Sequence, residues 1–272
     1  MFDFFLNLHP VVQAGLAGIV TWFFTALGSS LVFFMGEINR KLLDAMNGFA
    51  AGVMIAASFW SLLAPSIEYA EAGGYGKWAF FPALVGFVAG GLFLSLLDKI
   101  IPHMHMDKTR SEAEGVPTPL SSTFLLFLAI TIHNIPEGLS VGVAYGAVGS
   151  GLANASMASA ISLTLGIALQ NFPEGSALAM PIRANGNSRW RAFNLGQASA
   201  LVEIVGAILG AWLVTQMTVI LPYALAFAAG AMIFVCVEEL IPESQSNGNE
   251  DLATLALIAG FAVMMVLDVA LG

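Results

Sequence analysis

The sequence predicts an all-α membrane protein with eight transmembrane helices. Three observations predict it. Apolar residues fill 58% of the 272 positions and charged residues only 10%, against roughly a quarter in ordinary soluble domains. Mean hydropathy is +0.83. Apolar stretches of about 20 residues, the length that crosses a hydrocarbon layer, recur along the whole chain. The net charge of -9 does not mark an acidic surface protein, because many of the acids lie inside those stretches.

Eight spans are expected at about 10–35, 45–65, 80–101, 120–148, 157–182, 193–216, 222–241 and 252–271, each near the 20-residue minimum or longer. Polar or turn-forming breaks separate them: Gly36 to Lys41, Ser66 to Gly76, Pro102 to Pro119, Gly149 to Ala155, Ala184 to Arg191, Thr218 to Pro222 and Pro242 to Asp251. Residues 1–272 thus read as a single transmembrane domain. The lone Cys236 lies in a span, so no disulfide framework is expected. Met1 to Pro10 hold Asp3 and no basic residue, so no cleaved signal is expected.

Eight of the nine basic residues fall at one end of an eight-helix bundle: Arg40, Lys41, Lys99, Lys108, Arg110, Arg183, Arg189 and Arg191. Only Lys77 is opposite. The positive-inside rule puts that basic end in the cytoplasm and both termini outside the cytoplasmic membrane. Seven helices would spoil the segregation.

The second span contains Phe49-Ala50-Ala51-Gly52-Val53-Met54 and the seventh Phe227-Ala228-Ala229-Gly230-Ala231-Met232. These spans run in opposite directions. Helices 1–3 and 6–8 are therefore expected to be inverted repeats around a central pair, helices 4 and 5, as in many secondary transporters.

That central pair holds the chemistry. His133-Asn134-Ile135-Pro136-Glu137-Gly138 lies in the fourth span and Gln170-Asn171-Phe172-Pro173-Glu174-Gly175 in the fifth. Residues four apart share a helix face, which pairs His133 with Glu137 and Gln170 with Glu174. Asn134 and Asn171 sit about 100° further round. Pro136 and Pro173 lack an amide hydrogen, free the carbonyls of Ile132 and Leu169, and kink each helix. Either motif alone could be a satisfied structural polar group. Repetition of proline, glutamate and glycine in register argues for a site. Imidazole, carboxylate and amide oxygen together suit a divalent transition metal.

Glu203, in the sixth span, matches Glu137 and Glu174 in depth. Three carboxylates in one low-dielectric site repel unless cations or protons balance them. Met54 at mid-depth offers a soft thioether, although core methionine is the commoner state. Asp44, Asp98, Glu238, Glu239 and Glu243 lie near the basic end, with His103 and His105 in the loop. Glu238 and Glu239 are adjacent, so at most one points fully at a pathway. Glu68 and Asp268 lie near the opposite end. Acids at each mouth would concentrate cations. Each taken singly is by default a solvated helix-end charge, and His103-Met104-His105 without a carboxylate partner reads as a weak motif.

Through the paired proline motifs, Glu203, and the run from Phe227 to Glu243 ending Glu238-Glu239-Leu240-Ile241-Pro242-Glu243, the chain resembles the ZIP (zinc- and iron-regulated transporter-like) family, most of all its GufA-like bacterial branch. The resemblance spans most of the chain. It implies transport of divalent metal, zinc foremost and also cadmium, iron(II) or manganese, into the cytoplasm by alternating access. It implies a first metal site of His133, Glu137, Gln170, Glu174 and Met54. A second would use Asn134 and Glu203, with Glu137 and Glu174 bridging. Some members carry aspartate where this chain has Asn171, which removes one charge. Glu239 matches a family acid on helix 7. The long His-rich loop of eukaryotic members shrinks here to His103 and His105. The resemblance also implies sliding of the middle bundle against helices 1, 4, 6 and 7, or the reverse.

The metal is cargo, and no resident cofactor is expected. The expected partners are divalent metal ions and the lipid bilayer, with no nucleic acid; a homodimer is admitted but not required. No G-x-x-x-x-G-K loop offers ATP coupling. An intramembrane metalloenzyme would show H-E-x-x-H or paired E-x-x-H motifs, and neither occurs, so no enzyme activity is expected. A proton-linked carrier of another cation would use the same acids but leaves His133 and the paired amides unexplained.

Overall fold

The computed structural model describes residues 2–34, 39–104, 114–151 and 155–271. A short helix, Phe2–Leu6, precedes eight long helical segments. α1 is Pro10–Ser29, extended by a 3₁₀ turn, Ser30–Phe33. α2 starts as Arg40–Ala57 and continues through a π-helical turn, Ser58–Leu63, into Ala64–Ala70. α3 is Phe80–Ile100, α4 Ser122–Gly149 and α5 Met157–Ala184. α6 is Arg189–Ser199 and, past a break at Ala200, Leu201–Gln216. α7 is Leu221–Val235, a π-helical turn Cys236–Leu240, and Ile241–Ser244. α8 is Glu250–Leu271.

Seven of these segments are long and apolar enough to cross a membrane. The fifth, α5, has 28 residues but falls outside that group. Its buried Ser162, Thr164, Gln170, Asn171, Glu174 and Ser176 lower its hydropathy, and it packs against α1, α2 and α8 inside the bundle. Polar side chains are tolerated at that depth when they face protein rather than lipid.

Several helices are capped by side chains. Asn39, Ser121, Ser156 and Ser188 each accept a backbone N–H at the start of α2, α4, α5 and α6, which satisfies donors that have no partner within the helix. Pro136 and Pro173 lie inside unbroken helices.

Tight packing divides the helices into two bundles. α1 packs on α5 and α6, and α4 on α6; α2 packs on α8, and α3 on α7. The grouping of the seventh helix with helices 1, 4 and 6 therefore does not hold. α7 belongs with α3, because Gly86 and Gly90 of α3 and Gly230 of α7 let the two backbones meet. In a membrane, such close van der Waals approach drives helix pairing.

The two glycine-lined pairs match residue for residue. On α2 the Phe49 carbonyl fills the space beside Gly260 of α8, and Gly52 faces Leu257. On α7 the Phe227 carbonyl fills the space beside Gly90 of α3, and Gly230 faces Phe87. Each partner residue lies three before its glycine. The π-helical turns begin nine residues after Phe49 and after Phe227, at Ser58 and Cys236. Clefts of about 390 and 570 Å³ lie at the seams between the bundles. Phe227 and Ala89 line one; Phe49 and Ala259 occupy the corresponding places in the other. The α2–α8 and α7–α3 pairs thus repeat one set of backbone contacts, as Phe49 to Met54 and Phe227 to Met232 repeat in sequence.

A Cβ on Gly52 would come within 2.7 Å of the Phe261 nitrogen, and one on Gly230 within 2.7 Å of the Phe87 carbonyl carbon. Neither backbone can yield as a flexible side chain would. Gly52→Ala and Gly230→Ala should each destabilise the protein by about 1–3 kcal/mol. Thermal melting in detergent checks this, with Gly91→Ala, whose nearest neighbour is 3.8 Å away, as the tolerant control.

Candidate metal centre

The paired proline motifs meet at mid-bundle. His133, Asn134, Glu137, Gln170, Asn171, Glu174 and Glu203 are all buried. They arrive from α4, α5 and α6. Gly138 explains how α6 comes so close: a Cβ there would meet the Glu203 backbone at 2.5 Å. Gly175 does the same for α5 against α1, where Ser29 Oγ donates to the Gly175 carbonyl at 3.1 Å. The last residue of each motif thus packs the helix that supports it.

Gln170 Nε2 donates to Glu137 Oε1 at 2.6 Å. The carboxyl groups of Glu137 and Glu174 lie against each other, a pairing that needs a shared proton or a cation. Asn171 Nδ2 donates to both Glu203 oxygens at 2.8 Å, and to the Thr21 carbonyl at 3.2 Å. His133 Nδ1 contacts the Glu239 carboxylate from α7. Met54 is fully buried on α2 in the main apolar core.

Several buried oxygens are left over. Asn134 has no hydrogen-bond partner on either amide atom; Gln170 Oε1 and Asn171 Oδ1 have none either. A buried polar group without a partner costs about 1–3 kcal/mol. Three amide oxygens held this way beside four carboxylates and an imidazole are a donor set for a divalent cation, with hard and borderline ligands and no thiolate cage.

The remaining residues separate by position. Of the adjacent pair, Glu239 is buried and Glu238 exposed. His103, read as part of a weak motif for want of a carboxylate partner, has one: it is fully buried, and its Nε2 lies 2.9 Å from Asp98. The backbone of His103 pairs with that of Glu114 through two hydrogen bonds, at 3.2 and 2.9 Å. This brings Asp98, His103 and Glu114 within metal-binding reach of one another. His105 lies outside the described residues. Asp44 accepts from Asn247 and Asn249 at 2.9 and 2.8 Å and ties down the loop before α8. Glu243 is buried at the basic end. At the opposite end, Glu68 and Asp268 line a cavity of about 280 Å³ with Trp60, Ser61, Tyr69 and Leu225. Asp268 accepts from Ser61 at 2.7 Å and Ser162 at 3.2 Å.

Sequence reasoning missed Thr21, Asn47 and Glu114. Thr21 contacts Glu203 through its hydroxyl as well as lending its carbonyl to Asn171. A threonine in an apolar span is an ordinary residue, so only its contact singles it out. Asn47 carried a usable signal, an amide two helical turns from Met54 on the same face.

Residues 106–268 match the family model for the ZIP zinc transporters. The chain belongs to the ZIP family. It is 41% identical to human zinc transporter ZIP11, over 96% of this chain and 98% of that protein. It is 38% identical to zinc transporter ZIPB of Bordetella bronchiseptica, over 98% and 84%. It is likewise 38% identical to zinc transporter GufA of Myxococcus xanthus, over 91% and 94%.

Within this ZIP chain, Asn171 already spends its amide hydrogens on Glu203 and Thr21. Asn171→Asp would remove that donation and add a fifth carboxylate to the cluster. The variant should bind more divalent metal per chain than wild type; metal analysis after equilibrium dialysis against zinc checks this, and an unchanged ratio would show Asn171 to be neutral.

Proposed function

We propose that this chain carries divalent metal ions, zinc foremost and cadmium, iron(II) or manganese as alternatives, through a cytoplasmic membrane toward its basic end. The observation that supports the reading best is the mid-bundle cluster, in which buried carboxylates, an imidazole and unpartnered amide oxygens converge from four helices. Relatives named zinc transporters match it over nearly their whole length. All are named as transporters, and transport rather than catalysis is the activity proposed.

On this reading α5 is the eighth span, both termini lie outside the cytoplasm, and the cavity beside Asp268 is the outer mouth. His133, Glu137, Gln170 and Glu174 hold the ion, with Met54 on α2. Asn134 and Glu203 serve a second position, bridged by Glu137 and Glu174. An arriving cation takes over the balancing of charge that protons and amide donors provide. His133 leaves Glu239 to turn toward the ion, so capture at the centre is linked to the contact between α4 and α7. An inside-negative potential adds about 4.6 kcal/mol for two charges at about 100 mV. The two bundles are the bodies whose relative movement would alternate access.

Glu174→Ala should abolish uptake into proteoliposomes while leaving folded protein. Flux of zinc, cadmium, iron(II) and manganese, with wild type beside the variant, checks this. Uptake at the wild-type rate by Glu174→Ala would sink the α5 site, and the rank order of metals names the cargo.

A further inference from the structure

Asn47 is fully buried on α2, and neither its amide oxygen nor its amide nitrogen has a hydrogen-bond partner. Buried amides are normally satisfied. Asn47 lies one turn from Ala51, whose carbonyl accepts from the Cys236 thiol at 3.6 Å. The helix Arg40–Ala57 that carries Asn47 packs against the α7 turn Cys236–Leu240, which contains Glu239.

The inverted repeat says what surrounds it. Matching Phe49 with Phe227 pairs Asn47 with Leu225 and Ser61 with Glu239. Matching Gly260 with Gly90 pairs Asp268 with Asp98. Leu225, Ser61 and Asp268 line one cavity at the opposite end. Their counterparts at the basic end are Asn47, Glu239 and Asp98, all buried. An apolar residue, a hydroxyl and an acid on one side thus become an amide and two acids on the other. Each of those acids lies against an imidazole, His133 or His103.

We propose that the Asn47 carboxamide is a metal-contacting group in the basic-end half of the path, acting with Glu239 and Asp98 to take the ion as it leaves the mid-bundle site. This rests on the transport reading above. One amide oxygen and two carboxylates favour a hard or borderline divalent cation. The asymmetry lies at the mirrored positions, where Leu225 and Ser61 at the mouth answer to Asn47 and Glu239 at the exit.

The test uses full-length protein in proteoliposomes loaded with a zinc indicator. Asn47→Leu installs the residue found at the mirrored position, with the same branched shape and no ligand atom. Asn47→Asp restores an oxygen ligand. Asn47→Leu should still fold and melt cooperatively, since removal of an unsatisfied amide offsets the added bulk. It should lower the maximal zinc flux by roughly tenfold, the lower end of what loss of a metal-orienting group costs. The external zinc concentration giving half-maximal flux should not change. Asn47→Asp should recover most of the flux. Flux equal to wild type in folded Asn47→Leu would overturn the inference while leaving transport intact. Folded wild type that moves no metal would overturn the transport reading and this inference with it.

Discussion

Everything in this molecule is arranged around negative charge where water does not reach. Glu137, Glu174, Glu203 and Glu239 are buried, and in a low-dielectric interior their mutual repulsion is far stronger than at a surface. The protein meets that constraint with donors aimed from three sides: Gln170 on Glu137, Asn171 on Glu203, and His133 against Glu239. Each is a group that a cation can displace. That concentration of charge is what the proposed cargo would balance.

The backbone is built to bring those groups together. Glycines let α4 meet α6 and α5 meet α1 with backbone touching backbone, so Glu203 reaches the proline motifs. Hydroxyls return to the helices near each proline: Ser140 Oγ donates to the Glu137 carbonyl and Ser176 Oγ to the Pro173 carbonyl, both at 2.7 Å. Such local bonds help a membrane helix tolerate an interior proline.

The α2–α8 and α7–α3 pairs share backbone contacts but carry different side chains. Asp268 is met by the hydroxyls of Ser61 and Ser162, whereas Asp98 is met by His103. The π-helical turns in α2 and α7 begin at equivalent positions and shift the register of the helix beyond them. Such turns often occur at functional sites, and here one precedes Glu68 and the other contains Glu239. On the proposed transport reading, a shared scaffold with different side chains would let the two ends treat the ion differently.

The sequence by itself determined the all-α membrane class, the elements and the central motifs, because hydropathy, helical spacing and the cost of buried charge are local or nearly local properties. It also disclosed the repeat, through Phe49 to Met54 and Phe227 to Met232. Only the tertiary structure decided which helix packs on which, because glycine spacing permits several pairings and the packed backbones select one. It placed α7 with α3 rather than with helices 1, 4 and 6, and buried Glu239 while exposing Glu238. It drew His103 onto Asp98, and left Asn47 as an amide without a partner. Those outcomes depend on residues far apart in the chain meeting within hydrogen-bond or van der Waals distance, and no local pattern carries that information.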